Sequence, residues 1–216
     1  MVKSPFYNAD HEAFRAVVRR FVEKEIEPYA TAWDEAGTFP RELYRKAAAI
    51  GLLGLGFPEE YGGTPCDNFM WIVSVQELAR AGAGGVSASL KSNSIGAPPI
   101  ARAGTPEFKA RVLPEILSGE KISALAITEP GGGSDVANLR TTARRDGDVY
   151  VVNGEKTFIT SGMRADYITT AVRTGGPGPG GVSLLVIPGD TPGLSRTPLK
   201  KMGWWASDTA TLHFDE

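Results

Sequence analysis

The chain has 216 residues, of which 42% are apolar, and its formal net charge is -2. That length suits one large domain or two modest ones, and the balanced, mixed-sign charge gives no extended positive field for nucleic acid or an anionic membrane. A single cysteine, Cys66, excludes an internal disulfide framework and a Cys-cluster metal site, and the presence of only two histidines, His11 and His213, argues against a zinc site.

The opening residues, MVKSPFYNADHEAF, lack the basic head and the following apolar run that a secretion signal needs. No apolar stretch of the sequence is long enough to span a bilayer. We therefore expect a cytoplasmic protein with no membrane span.

Amphipathic helices are predicted from the start of the chain. Between Asp10 and about Trp33 the apolar residues recur at three- and four-residue spacing, which indicates one buried helix face, with Asp10 as the N-cap. Pro40 can open a second helix in its first turn, and Gly51 can close it.

Two further helices are predicted before residue 118. One runs from Asp67 to Gly82, and the other follows Thr105-Pro106, a cap and first-turn pair. The prolines in the region of residues 86–117 predict short or broken helices there, since proline lacks the N–H of the helical ladder. These prolines are Pro98, Pro99 and Pro114.

The pattern changes after Ser118-Gly119, where short alternating runs rich in β-branched residues replace the helical period. We place the domain boundary there, which gives a helical domain over residues 1–118 and a β-domain over residues 119–216. Helices followed by strands predict an α+β chain of two layered domains.

The strongest hairpin signal is Asp146-Gly147, which separates predicted strands at residues 140–145 and 149–152. Asn153-Gly154 then leads into a strand at residues 156–160. Further strands are predicted at residues 168–173, 182–187 and 209–214. The segment TGGPGPGG, residues 174–181, is too rich in glycine and proline for regular structure and is interpreted as a mobile surface loop.

The segment most informative about chemistry is ALAITEPGGGSD, residues 124–135, in which an apolar strand runs into a glycine-rich loop. Such loops let backbone N–H groups approach a phosphate without obstruction by side chains. No lysine precedes Ser134 as a P-loop requires, and no helical pattern follows as a Rossmann turn requires. The loop is therefore not predicted to bind ATP or NAD, and standing alone it would be an ordinary turn.

It does not stand alone, because GEKTFITSG at 154–162 and KKMGWWASDTATLHFDE at 200–216 follow it. With AWDEAGTFPRELYRKAAAIGLLGLGFPEEYGG and SIGAPPIARAGTPEFKARVLPEILSGE, these motifs make nearly the whole chain resemble the acyl-CoA dehydrogenase family. The resemblance implies an amino-terminal α-helical bundle domain followed by a small antiparallel β-barrel-like domain. In the family a carboxy-terminal four-helix domain completes the fold, and FAD lies extended between it and the β-domain.

The resemblance also implies a set of FAD-binding residues, carried over position by position. Residues 125–128 would line the flavin ring, with the Ile127 backbone and the Thr128 hydroxyl near its pyrimidine end. Phe158 would flank the ring, and Thr160 would donate toward the reactive flavin nitrogen. The full set is Leu125, Ala126, Ile127, Thr128, Gly133, Ser134, Phe158, Ile159 and Thr160.

Gly133 and Ser134 would face the pyrophosphate, and Ser134 would also touch the pantetheine of an acyl-CoA substrate. Taken singly, these residues have structural interpretations, since Thr128 and Thr160 suit a half-buried strand and Ser134 can cap a turn. Glu129 is expected on the surface and receives no proton-transfer role.

The implied chemistry is removal of two hydrogens from the α and β carbons of an acyl-CoA, with FAD taking the β hydride. In the family the base is a glutamate of the carboxy-terminal domain, so no catalytic residue is expected in this chain, and the fragment is expected to be inactive. Reduced flavin would pass electrons to an electron-transfer flavoprotein, and the full-length protein would be a homo-oligomer, a tetramer.

The same residues are compatible with two alternatives. A flavin oxidase or monooxygenase on the same scaffold would keep an FAD or FMN pocket and let the reduced flavin meet oxygen. A short paralogue or truncated form could act as a non-catalytic binding module. The acyl chain length is not determined by these residues.

Overall fold

The computed structural model describes residues 4–216, so the expectation for the first three residues lies outside the described residues. Backbone contacts divide the chain into two compact units. The first takes the residues up to Lys91 together with Thr105–Glu120 and Lys201–Ser207. The second comprises Ser92–Gly104, Lys121–Lys200 and Asp208–Glu216.

The helices lie in the first 117 residues. They are α1 (Ala9–Glu25), α2 (Ala30–Ala36), α3 (Glu42–Ala49), α4 (Asn68–Arg80), α5 (Gly84–Leu90), α6 (Asn93–Gly96), α7 (Pro98–Ala103) and α8 (Pro106–Leu117). Helices α6 and α7 belong to the second unit, and the others belong to the first. None of the described helices is both long and apolar enough to cross a bilayer.

Helix α1 is capped by Asn8 rather than by Asp10. The Asn8 side chain accepts from the N–H of His11 at 2.9 Å, and His11 Nδ1 accepts from the N–H of Asn8 at 3.0 Å. This reciprocal pair forms a capping box, which satisfies two N–H groups at once. The helix also ends earlier than predicted, because Pro28 lies in a 3₁₀ turn, Glu27–Tyr29, ahead of α2.

The predicted cap of α8 is present, and α4 is capped by Asp67, the residue at which its helix was predicted to begin. Asp67 accepts from the N–H of Met70 at 2.9 Å, and Thr105 accepts from the N–H of Phe108 at 3.3 Å. Pro114 lies inside α8 without ending it, and its carbonyl still accepts from the N–H of Ser118 at 3.0 Å. The short helices predicted around Pro98 and Pro99 are confirmed as α6 and α7.

The strands form a curled mixed sheet, so the chain has the predicted α+β class. They are β1 (Ser123–Ala126), β2 (Thr142–Asp146), β3 (Val149–Thr160), β4 (Tyr167–Arg173), β5 (Val182–Pro188), β6 (Leu194–Pro198) and β7 (Thr209–Asp215). Their order is β1-β4-β2-β3-β7-β6, with β5 paired to β4. Strand β1 runs parallel to β4, whereas β2 with β3, β3 with β7, β4 with β5 and β6 with β7 are antiparallel.

The Asp146-Gly147 hairpin is confirmed, because Asp146 pairs with Val149 and Gly147 has a φ of 60°. Asn153-Gly154, in contrast, makes no turn and lies inside the continuous strand β3. A Cβ at Gly154 would lie 2.7 Å from the Cα of Thr141, so glycine permits a close approach of two backbones there.

The TGGPGPGG segment is held by Arg173 at the end of β4. Its guanidinium donates to the carbonyls of Gly176 at 2.6 Å and Gly178 at 3.2 Å. A short 3₁₀ turn, Pro179–Gly181, leads from this segment into β5. Strand β6 was not predicted from the sequence, because its proline end and polar residues weaken the strand pattern.

Candidate functional site

A backbone hydrogen bond joins the two motifs of the second unit. The N–H of Thr157, in β3, donates to the carbonyl of Thr128 at 2.8 Å, just beyond the end of β1. Ile127 and Thr128 are half-buried at this junction. The structure therefore brings the ITEPGGGSD segment against the GEKTFITSG segment, as the flavin assignment requires.

The glycine-rich loop turns back on itself directly after Thr128. The N–H of Glu129 donates to the carbonyl of Gly132 at 3.1 Å, and the N–H of Gly132 donates to the carbonyl of Glu129 at 3.0 Å. A Cβ added to Gly133 would lie 3.0 Å from Cγ2 and 3.1 Å from Oγ1 of Thr128. A side chain at this position would be in tight contact with Thr128, and both Gly133 and Ser134 are exposed.

Strand β3 is irregular where it carries the aromatic residue of the predicted site. Its pairing register with β7 shifts between Lys156 and Ile159. Phe158, within this bulge, has a φ of 59°, and its side chain is 68% exposed. A left-handed backbone is strained for a bulky residue, and such strain gathers at ligand sites. The bulge thus directs an aromatic ring away from the core of the unit.

Some of the predicted cofactor residues have buried side chains that a ligand could not contact. Ala126 and Ile159 are 0% and 2% exposed and belong to the apolar core of the unit, so they could contact a ligand only through their backbones. Leu125 and Thr160 are half-buried, and Thr160 pairs with Thr209 in β7. The individual contacts of these residues with FAD stay predictions.

Glu129 is buried, which corrects the expectation that it lies on the surface. Its Oε1 accepts from Lys156 Nζ and from the N–H of Thr141, both at 2.8 Å, and its Oε2 accepts from the N–H of Arg140 at 2.6 Å. Burial raises the pKa of Glu129, but the hydrogen bonds from Lys156, Thr141 and Arg140 lower it by more, to about 2. A carboxylate with this pKa is a weak general base.

Lys156 is the group that sequence reasoning missed. It is fully buried, and its ammonium donates to Glu129 and, at 3.0 Å, to the carbonyl of Ile127. Burial lowers its pKa, while Glu129 opposes that shift. The signal available in the sequence was a lysine inside a predicted strand two residues before Phe158, because a buried lysine requires a partner.

The donor chemistry at this junction fits a polar aromatic ligand such as FAD. It offers the backbone amides of a glycine-rich loop, the hydroxyls of Thr128, Ser134 and Thr160, and an exposed ring at Phe158. The charges of Glu129 and Lys156 are turned toward each other. The arrangement therefore suits binding and orientation of a ligand rather than proton abstraction.

Comparison with known proteins gives a consistent result. Residues 8–120 match the family model for the acyl-CoA dehydrogenase N-terminal domain, and residues 124–216 match the model for the middle domain of the same family. An acyl-CoA dehydrogenase, apdG, of Emericella nidulans is 36% identical over 99% of this chain and 53% of its own length. The chain spans about half the length of the curated relatives it matches.

Solved structures are similar over the same extent. An acyl-CoA dehydrogenase from Geobacillus kaustophilus is 42% identical with a TM-score of 0.92, covering 99% of this chain and 57% of the other. A glutaryl-CoA dehydrogenase from Mycobacterium smegmatis, in complex with FADH2, is 31% identical with a TM-score of 0.90, covering 97% of this chain and 53% of the other.

Proposed function

The chain belongs to the acyl-CoA dehydrogenase family, and we propose that it forms the FAD-binding part of an enzyme that oxidises an acyl-CoA to the trans-2-enoyl-CoA. The observation that carries the proposal is the hydrogen bond from Thr157 to Thr128, since it joins the two motifs on which the flavin assignment depends. FAD-bound members of the family support FAD as the cofactor.

Each residue of the junction has a proposed task. The Ile127 backbone and the Thr128 hydroxyl bind the pyrimidine end of the flavin, and Phe158 covers part of the ring. Thr160 donates toward the reactive flavin nitrogen, a preorganised hydrogen bond of the kind that stabilises developing charge. When bound, FAD supplies the acceptor for the β hydride.

The glycine-rich loop is proposed to serve both ligands. Gly133 and Ser134 bind the pyrophosphate through a backbone that no Cβ obstructs, and Ser134 also contacts the pantetheine of the substrate. Glu129 is excluded as the α-proton base in this proposal, because it is buried, ion-paired and has a pKa of about 2. Residues 1–216 alone are therefore proposed to be inactive.

The proposal also covers the metabolic role, location, electron acceptor and oligomeric state of the full-length protein. It includes a role in fatty-acid or related acyl-CoA catabolism, a cytoplasmic location, electron transfer to an electron-transfer flavoprotein and a tetrameric full-length protein. It also keeps the domain boundary after Ser118. These statements rest on the family and on sequence reasoning, and fractionation, sedimentation and reconstitution with the acceptor test them.

The central experiment is an anaerobic titration of the full encoded protein with a panel of acyl-CoAs. We expect protein that purifies yellow with FAD, bleaching of its visible absorbance and formation of enoyl-CoA. A protein of residues 1–216 with excess FAD serves as the comparison, and the visible absorbance of its flavin should not be bleached by any acyl-CoA. Bleaching of the shorter chain would mean that a base lies within it, with Glu155 the first residue to mutate.

Other outcomes would identify the alternatives. Hydrogen peroxide in air, with substrate oxidised, would indicate an oxidase, and a hydroxylated product would indicate a monooxygenase. Full encoded protein that binds neither FAD nor FMN would favour a non-catalytic binding module. Any of these results would overturn the dehydrogenase proposal.

A further inference from the structure

The buried lysine of β3 is attached to the backbone that is proposed to bind the flavin. Lys156 Nζ lies 3.0 Å from the carbonyl oxygen of Ile127 and 2.8 Å from Oε1 of Glu129. The carbonyl of Ile127 and the N–H of Thr128 belong to one planar peptide group. The ammonium therefore acts on the same peptide that carries the Thr128 N–H.

We infer that Lys156 is a positioning residue, with Glu129 as its counter-ion, that fixes and polarises the Ile127–Thr128 peptide and thereby tunes its interaction with the bound flavin. The inference rests on the proposed function for the identity of the ligand. It assigns a role to two charged residues that the proposed chemistry otherwise leaves unused.

The positioning part follows from the number of elements that meet at this pair. Glu129 takes hydrogen bonds from the N–H groups of Arg140 and Thr141, which lie just before β2, as well as from Lys156 in β3. Lys156 also donates a hydrogen bond to the carbonyl of Ile127, which directly follows β1. The pair thus connects the end of β1, the segment that leads into β2 and the interior of β3.

The polarising part follows from the low dielectric of the site. Lys156 is 0% exposed, so its charge is screened little by water. A cation at a carbonyl oxygen withdraws electron density from the peptide and makes its N–H a stronger donor, because hydrogen bonds in chains polarise one another. A stronger donor near the pyrimidine end favours the electron-rich, reduced flavin over the oxidised form.

Lys156→Met tests the inference, since methionine keeps most of the length and removes the ammonium. Glu129 keeps its hydrogen bonds from Arg140 and Thr141 in this variant. Lys121→Met is the matched control, because Lys121 lies in the same unit, is partly exposed and pairs only distantly, at 3.7 Å, with Asp166. Should Lys156→Met fail to fold, Glu129→Gln/Lys156→Met leaves no unpaired buried charge and takes its place.

The first measurement needs no cofactor. In FAD-free full encoded protein, the amide nitrogen of Thr128 should move upfield in the NMR spectrum of Lys156→Met and stay in place in Lys121→Met, because that nitrogen senses the hydrogen bond at the preceding carbonyl. An equal Thr128 shift in the two variants would overturn the inference.

The second measurement uses the holoenzyme. Loss of a hydrogen bond from a charged group predicts FAD binding weaker by about tenfold and a lower reduction potential of the bound flavin. A merely structural role would weaken binding but leave the potential at the wild-type value, and that result would also overturn the inference. Wild-type protein that binds no FAD would instead refute the proposed function, and the NMR measurement would still decide the role of Lys156.

Discussion

Thr128 and Thr157 are joined by a backbone hydrogen bond of 2.8 Å from the N–H of Thr157 to the carbonyl of Thr128. This contact connects the strand that leads into the glycine-rich loop with the bulged strand that carries Phe158. A displacement of either segment should therefore shift the other segment as well. Variants in both segments are expected to act on the same ligand.

Gly133→Leu should weaken FAD binding by about five- to a hundredfold. A side chain at this position meets the Thr128 side chain at 3.0 Å, and relieving such overpacking typically costs about 1 to 3 kcal/mol. Equilibrium titration with FAD measures the change. Gly131→Ala is the control, because a Cβ there meets nothing within 4 Å. Wild-type affinity in Gly133→Leu would mean that this loop does not approach the cofactor.

Thr160→Val should slow flavin reduction while leaving stability nearly unchanged. The change removes one hydroxyl and keeps the β-branched shape that suits the strand. Loss of one preorganised donor lowers the rate by about a hundred- to a thousandfold. Stopped-flow reduction by acyl-CoA measures it, with Thr197→Val, an exposed strand position, as the control. An unchanged rate would return Thr160 to a purely structural role.

Phe158→Asn should separate stability from cofactor binding. Asparagine tolerates the left-handed backbone at this position, so the FAD-free protein should gain about 1 kcal/mol of unfolding free energy. FAD affinity should fall, because the exposed ring is lost. Thermal unfolding and FAD titration measure the two effects. Phe158→Leu keeps the strain and should give the loss of affinity without the gain in stability.

The Glu129 carboxylate predicts a dependence of stability on acid. Its pKa is about 2 in the folded protein and about 4.5 as an ordinary glutamate. Because the folded-state pKa is the lower one, its stabilisation is complete above about pH 4.5 and is lost as the pH falls toward 2. The difference in unfolding free energy between wild type and Glu129→Gln should therefore shrink across that interval.

Denaturant unfolding at a series of pH values measures this difference. Asp148→Asn, at an exposed position in the β2–β3 hairpin, is the control and should change little. A wild-type advantage over Glu129→Gln that stays constant down to pH 2 would show that the charge of Glu129 does not stabilise the fold.

His11→Ala should destabilise the first unit by about 1 to 2 kcal/mol, because it removes the capping box with Asn8 and the contact of Nε2 with Asp67 at 3.0 Å. His11→Gln should cost less, since glutamine at this position can accept from the N–H of Asn8. Thermal unfolding measures both. Asp10→Ala is the control, and a larger effect there than in His11→Ala would restore Asp10 as the cap.

Local signals in the sequence were sufficient for many elements. The sequence predicts a helix beginning at Asp67, Thr105 as a helix cap and Asp146-Gly147 as a hairpin turn, because each depends on residues only a few positions apart. The sequence predicts Asp10 as the cap of α1, whereas the structure has Asn8, because the capping box uses His11 as the acceptor of the Asn8 N–H, where glutamate or glutamine is expected. The sequence predicts separate strands on either side of Asn153-Gly154, whereas β3 is continuous, because nothing local indicates the approach of Thr141 to Gly154.

The sequence by itself determined the family, the α+β class and the motifs in which the candidate site lies, since these depend on residue identity and short-range spacing. Only the tertiary structure decided that Phe158 lies in a bulge of β3 with its side chain exposed, and that Glu129 is buried against Lys156. The physical reason is that strand register and burial are set by pairing between distant segments. The charge pair behind the Ile127 carbonyl exists only once β1, β2 and β3 have met.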